Sequence, residues 1–95
     1  MVVDFNPEIR NRIRLSVAAY AYEFEDDPIM SDAEFDELSR QIDTEIETGN
    51  REMDHFFWSV FTPDTGLWIH DHPELPGIKR IYRDYFVDRD FEDLI

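Results

Sequence analysis

The sequence contains no cysteine. A disulfide framework, thiolate metal sites and cysteine nucleophiles are therefore excluded, and a reducing cytoplasm is permitted. No apolar run approaches the roughly 18–20 residues that span a bilayer. The start, Met-Val-Val-Asp-Phe-Asn-Pro, has neither a basic stretch nor an apolar one behind it. Neither a membrane anchor nor a signal peptide is expected, and the expected location is cytoplasmic. No internal repeat, heptad run or low-complexity tract is present. Positive charge is scarce: nine Lys and Arg face 23 Asp and Glu, for a net −14.

What is present is acid and aromatic. At 95 residues, 42% hydrophobic and 15% aromatic, the chain suits one domain, residues 1–95, that folds without a partner. A domain this small buries only about 60–65% of its unfolded surface. Its aromatic rings, each worth roughly 150–250 Å² of burial, compensate. Residues 23–47 hold eleven acids against one base, Arg40, and so contribute −10 of the −14. Such a surface repels nucleic acid and anionic membranes and attracts basic surfaces over about 8–10 Å. Direct DNA binding is not expected.

The periodicity predicts a mainly α fold, a small bundle of about four helices. Helix one is expected from Pro7 to Glu25, with Asn6 as N-cap, Glu8 favouring the helix dipole and Arg10 and Arg14 on a neighbouring face. Ile9, Ile13, Val17, Tyr20 and Phe24 would form its apolar stripe. Pro28, with Asp26 and Asp27, ends it. Ser31 and Glu34 form a capping box for helix two, with Met30 and Phe35 at the staple positions and Phe35, Leu38, Ile42 and Ile46 inward. Thr48-Gly49-Asn50 breaks the chain and can cap a third helix over 51–61, with Met53, Phe56, Phe57, Val60 and Phe61 inward. Residues 62–66 are a turn, and Leu67-Trp68-Ile69 is open between extended and loop. A last helix over 76–87 would bury Ile78, Ile81, Tyr82, Tyr85 and Phe86 and expose Lys79, Arg80 and Arg83. The chain thus divides into a hairpin (7–46), an aromatic-rich second half (50–87) and a flexible tail (88–95).

Residues 20–38, Tyr-Ala-Tyr-Glu-Phe-Glu-Asp-Asp-Pro-Ile-Met-Ser-Asp-Ala-Glu-Phe-Asp-Glu-Leu, resemble the N-terminal Ia domain of NAD-dependent DNA ligases. That family has a helix ending in Tyr-His or Tyr-Tyr, followed by Asp-x-Pro-x-Ile-Ser-Asp-x-Glu-Tyr-Asp-x-Leu. The resemblance covers only the first half of the chain. It implies a helical hairpin that grips the nicotinamide mononucleotide half of NAD against a separate nucleotidyltransferase domain. Tyr22, Asp32 and Asp36 match the positions that would contact the nucleotide.

Two residues depart from the pattern. Glu23 stands where the family has His or Tyr, and Phe35 where it has Tyr. The first places a carboxylate near an approaching phosphate, and two like charges 4 Å apart repel by about 4 kcal/mol at an effective dielectric of about 20. The second removes a hydroxyl worth about 0.5–1.5 kcal/mol. Nothing later in the chain resembles the nucleotidyltransferase lysine motif, the zinc finger or the helix-hairpin-helix region, so ligation is not expected.

No catalytic constellation emerges. Ser16, Ser31, Ser39 and Ser59 have ordinary helical or capping roles and no adjacent histidine. Carboxylates are so numerous that any pair is uninformative. His70 and His72, with His55 elsewhere, lack the third ligand a metal site needs. They read as a polar turn before Pro73, and no metal site is expected. Trp58, Trp68, Phe56 and Phe57 read as core, although one or two could anchor a partner.

These readings converge on a non-enzymatic acidic binding protein that contacts a basic surface of another protein. One concrete form is an inhibitor that occupies a nucleic-acid-binding site as a DNA mimic, the strategy of phage-encoded anti-defence (anti-CRISPR-like) proteins. Glu23, Glu25, Asp26, Asp27, Asp32, Glu34, Asp36 and Glu37 would carry the contact, and no cofactor is needed. The alternative is a module binding nicotinamide mononucleotide or NAD through Tyr22, Asp32 and Asp36.

Overall fold

A computed structural model describes residues 7–87. Four α-helices run in order: α1 (Pro7–Glu25), α2 (Asp32–Gln41), α3 (Arg51–Ser59) and α4 (Leu75–Tyr82). A 3₁₀ segment, Leu67–Asp71, precedes α4, and a π-helical turn, Arg83–Val87, follows it. There is no strand among the described residues, so the domain is mainly helical, as its periodicity indicates. The expected Asn6 cap and the 88–95 tail lie outside the described residues.

α1 is the axis of the fold. It packs against α2, α4 and the 3₁₀ segment, and every residue from Leu15 to Ala21 is buried. Seven consecutive buried positions cover the whole circumference of a helix, which happens only when neighbours close on it from several sides. Ser16, Ala18, Ala19 and Ala21 are small enough to let those neighbours approach. The expected single stripe is therefore corrected. Val17 and Tyr20 are buried, whereas Ile9, Ile13 and Phe24, outside the buried run, are exposed.

α2 begins as its sequence requires. The Glu34 amide donates to Ser31 Oγ at 3.1 Å, and the Ser31 amide donates to Glu34 Oε1 at 2.8 Å. Leu38 is buried and Phe35 and Ile42 are half-buried, but Ile46 is exposed. The helix stops at Gln41 because side chains from α1 take over the backbone beyond it. The Asp43 amide donates to the Glu8 carboxylate at 3.1 Å. Arg12 donates to the carbonyls of Asp43 and Ile46 at 2.9 and 3.0 Å. Ile46 thus sits in a tertiary loop and is not on a helical stripe.

That loop leads to α3, whose Asn50 cap accepts from the Met53 amide at 3.1 Å. Phe56 and Phe57 are both buried, so the roughly 100° step per residue carries Trp58 outward. Trp58 is 63% exposed and Val60 also faces solvent, against the expectation that both lie inside. Phe61 is buried and meets Trp68 edge-on at 5.1 Å. The Leu67–Asp71 segment is neither extended nor open loop: one 3₁₀ turn carries Trp68 and Ile69 into the core.

α4 buries Ile78 and Tyr82. The wider π turn then shifts the helical register. Phe86 stays under Tyr82 at 6.3 Å, whereas Tyr85 swings outward to 70% exposure, contrary to its expected burial.

Candidate functional site

The last turn of α1 and the first turns of α2 meet at the 26–31 connection, so the acids of residues 23–37 gather at one end of the hairpin. Their surroundings differ. Glu23 Oε1 lies 3.1 Å from His70 Nε2, and the His70 ring packs 4.7 Å from Phe24. Glu25 accepts from the Tyr20 hydroxyl at 2.6 Å. Burial first, and then this carboxylate, push the Tyr20 pKa up to about 12, so the phenol remains a donor. Asp27 accepts from the Tyr82 hydroxyl at 2.6 Å, tying the connection to α4.

Glu34 is held in the capping box, and the backbone and side-chain hydrogen bonds from Ser31 draw its pKa down. Glu37 pairs with Arg40 at 3.4 Å and accepts from Gln41 at 3.3 Å, both on the exposed face of α2. Five of the eight expected contact residues are thus engaged within the chain. The side chains of Asp26, Asp32 and Asp36 make no hydrogen bond or ion pair among the described residues, and all three are exposed. Asp26 has φ of +52°, the left-handed conformation that ends many helices. Next to it the Asp27 amide closes back on the Ala21 carbonyl at 2.9 Å.

The same end of the hairpin holds a cleft of about 170 Å³ between α1, the start of α2 and the 62–66 turn. Ala18 and Ala19 form part of its floor, with Tyr22, Asp32, Phe35 and Asp64 around it. A Cβ on Gly66 would stand 3.4 Å from Phe35 Cζ and 3.5 Å from Ala19 Cβ, which shows how closely the turn approaches the hairpin. Of the three residues matched to nucleotide contacts, Tyr22 and Asp32 line the cleft and Asp36 does not. Glu23 does not line it either; the second carboxylate there is Asp64. Sequence reasoning read residues 62–66 only as a turn, and no local signal ties that turn to the hairpin 30 residues earlier.

A larger groove of about 780 Å³, which shares Met30 with the cleft, is bounded by Ile13, Val17, Met30, Leu38, Ile81 and Tyr85. Arg14, Glu34 and Glu37 stand along it, so its charges are mixed.

The histidines divide between two environments. His70 faces Glu23 at the surface, whereas His72 is buried beside Phe56, with ring centroids 5.2 Å apart. Its Nδ1 accepts from the Glu74 amide at 3.0 Å, and burial holds its pKa down to about 4. Among the described residues, no group of three or more His, Cys, Asp or Glu is placed to hold a metal ion. No helix among them is long and apolar enough to cross a membrane.

The chain matches no protein-family model, and comparison with curated proteins and with solved structures gives no match either.

Proposed function

We propose that this chain is a non-enzymatic acidic binding protein whose α1–α2 tip docks on a basic, nucleic-acid-binding surface of another protein, as a DNA mimic does. The observation that carries this reading is local. Tyr22, which is 59% exposed, lies on the same hairpin as Asp26, Asp32 and Asp36, and none of the three acids is neutralised within the described residues. Unpaired carboxylates on the same hairpin as an exposed tyrosine combine electrostatic steering with an aromatic anchor, the pairing that protein interfaces favour. The phage-type inhibitor is the form of this reading that its charge and size fit.

The five engaged acids dictate which variants test it. Asp27→Lys would also break the bond to Tyr82, so the charge reversal belongs at Asp32 and Asp36. With the chain as bait in a nuclease-treated lysate, a specific partner is expected to be retained at low salt. It should be released by about 0.5 M NaCl, where screening acts within roughly 4–5 Å, and displaced by duplex DNA. The Asp32→Lys/Asp36→Lys variant should bind it at least about tenfold more weakly. A partner indifferent to salt, to DNA and to charge reversal would sink the proposal.

A second reading, binding of nicotinamide mononucleotide or NAD, is favoured by Tyr22 and Asp32 lining one cleft. Asp64 works against it, because a second carboxylate repels a phosphate-bearing ligand. Titration with nicotinamide mononucleotide should then shift the amide resonances of Tyr22, Asp32 and Phe35. Unchanged spectra at millimolar nucleotide end that idea for this chain.

A further inference from the structure

The cleft at the hairpin tip has a chemistry that neither the acid cluster nor the large groove shares. Its lining includes Ala18, Ala19, Pro28 and Met30, with Tyr22 beside them. The charged residues lining it are Asp32 and Asp64, both exposed, both acidic, and drawn from segments 32 positions apart. An apolar trough with carboxylates beside it and an aromatic face suits a long side chain with a methylene stem and a cationic head. The stem would lie on the alanine and methionine surface, as long basic side chains do. The head would reach a carboxylate and lie against the tyrosine ring. A phosphate-bearing ligand would meet two negative charges here, and a purely apolar one would leave them unused.

We infer that this cleft receives a single arginine side chain from the protein partner. Arginine fits better than lysine, because its planar guanidinium can bond a carboxylate in bidentate fashion and stack on the tyrosine ring at the same time. This rests on the reading of the tip as a surface for basic proteins. It adds to that reading a defined anchor point and one acid, Asp64, outside the 23–47 segment. Specificity would then come from one inserted arginine, with the remaining acids supplying general attraction.

The test is an NMR titration of the intact chain at low ionic strength, using two capped tripeptides, Gly-Arg-Gly and Gly-norleucine-Gly. The arginine peptide is expected to shift the amides of Ala18, Ala19 and Gly66 saturably, and the norleucine peptide is not. Asp32→Asn and Asp64→Asn should each weaken the arginine peptide about tenfold, the loss expected for one charged hydrogen bond. Glu45→Gln, exposed in the acidic segment but outside both the cleft and the proposed contact, should change it less than about twofold. All three positions are exposed, so circular dichroism should report an unchanged fold.

Equal losses from all three variants would overturn the cleft while leaving the acidic-tip proposal standing, because diffuse attraction alone produces that pattern. Shifts confined to other acidic positions would overturn it too. Cleft shifts with nicotinamide mononucleotide that grow stronger in Asp64→Asn would replace the arginine with the nucleotide. The salt and charge-reversal experiment fails on separate observations, so the two proposals can fall independently.

Discussion

Replacing Arg12 with alanine is expected to destabilise the protein by about 3–5 kcal/mol, the usual consequence of removing one member of a buried ion pair. Arg12 is 3% exposed and serves four acceptors from three parts of the chain. Its Nε bonds Glu8 at 2.6 Å and its Nη1 bonds Asp54 at 2.9 Å. Nη2 donates to the carbonyls of Asp43 and Ile46, and the guanidinium sits 4.9 Å from the Phe57 ring centroid. Truncation would take the Arg12 guanidinium away from the buried Glu8 carboxylate and release the 43–46 loop. It would also leave Asp54 to Thr48, whose amide and hydroxyl donate to it at 2.8 and 2.7 Å.

For a domain of this size each kcal/mol lowers Tm by about 4–8 °C, so a drop of at least about 12 °C should be seen by circular dichroism. Arg12→Lys keeps the charge but cannot reach all four acceptors, and should fall between wild type and alanine. Pairing Arg12→Met with Glu8→Gln should recover part of the loss, because position 8 then carries no buried charge. A urea unfolding free energy within 1 kcal/mol of wild type for Arg12→Ala would show that the cluster is not a structural hub.

Acid is expected to weaken the fold well before its carboxylates protonate. The His72 ring is buried, Nδ1 already accepts a hydrogen bond, and Nε2 has no partner among the described residues. Protonating Nδ1 would place a charge in the core and break the bond from Glu74. The folded pKa, lowered to about 4 from 6.5, therefore lies below that of the unfolded chain. This contribution is fully present above pH 6.5. It is lost as pH falls towards 4, because the unfolded chain takes up the proton first. The limiting slope is about 1.4 kcal/mol per pH unit, and the whole loss about 3 kcal/mol.

Urea midpoints at pH 7.0, 5.5 and 4.5 would measure it. His72→Asn can keep an acceptor for the Glu74 amide and removes the titration. It should start less stable at pH 7, through lost ring packing, and show a flatter decline. Matching slopes for the two proteins would rule His72 out as the cause.

A second acid effect belongs to a lower window. Burial pushes the Asp54 carboxyl up, but hydrogen bonds from Thr48 and then Arg12 outweigh it and draw the pKa down. Glu34 is drawn down by the Ser31 bonds. Both groups contribute stability above their unfolded values, near pH 4, and lose it only as pH falls through their folded ones.

Local chemistry was enough to read the four helices, where they start and where α1 ends. Ser31 with Glu34 forms a capping box in any surroundings, Asn50 caps the helix beside it, and Pro28 bars continuation of α1, since each acts within about four residues. The acid cluster was equally plain, being a matter of counting charges along the chain. Which of those acids remain available was not legible. Glu23, Glu25 and Asp27 found partners as near as Tyr20 and as far as Tyr82, and only the folded chain decides that. Burial on α1 also escaped periodicity, because a helix enclosed on several sides has no single apolar face. Nothing local singles out Arg12, because its four acceptors lie as much as 42 positions away. The cleft belongs to the same class. Tyr22 and Asp32 could be singled out in sequence, but Asp64 joins them only because α1 draws the hairpin and the 62–66 turn together. Short-range hydrogen bonding made the helices readable from the sequence by itself, and composition alone set the net charge, whereas the pairing of charges and the shape of the site depend on long-range packing that no local pattern encodes.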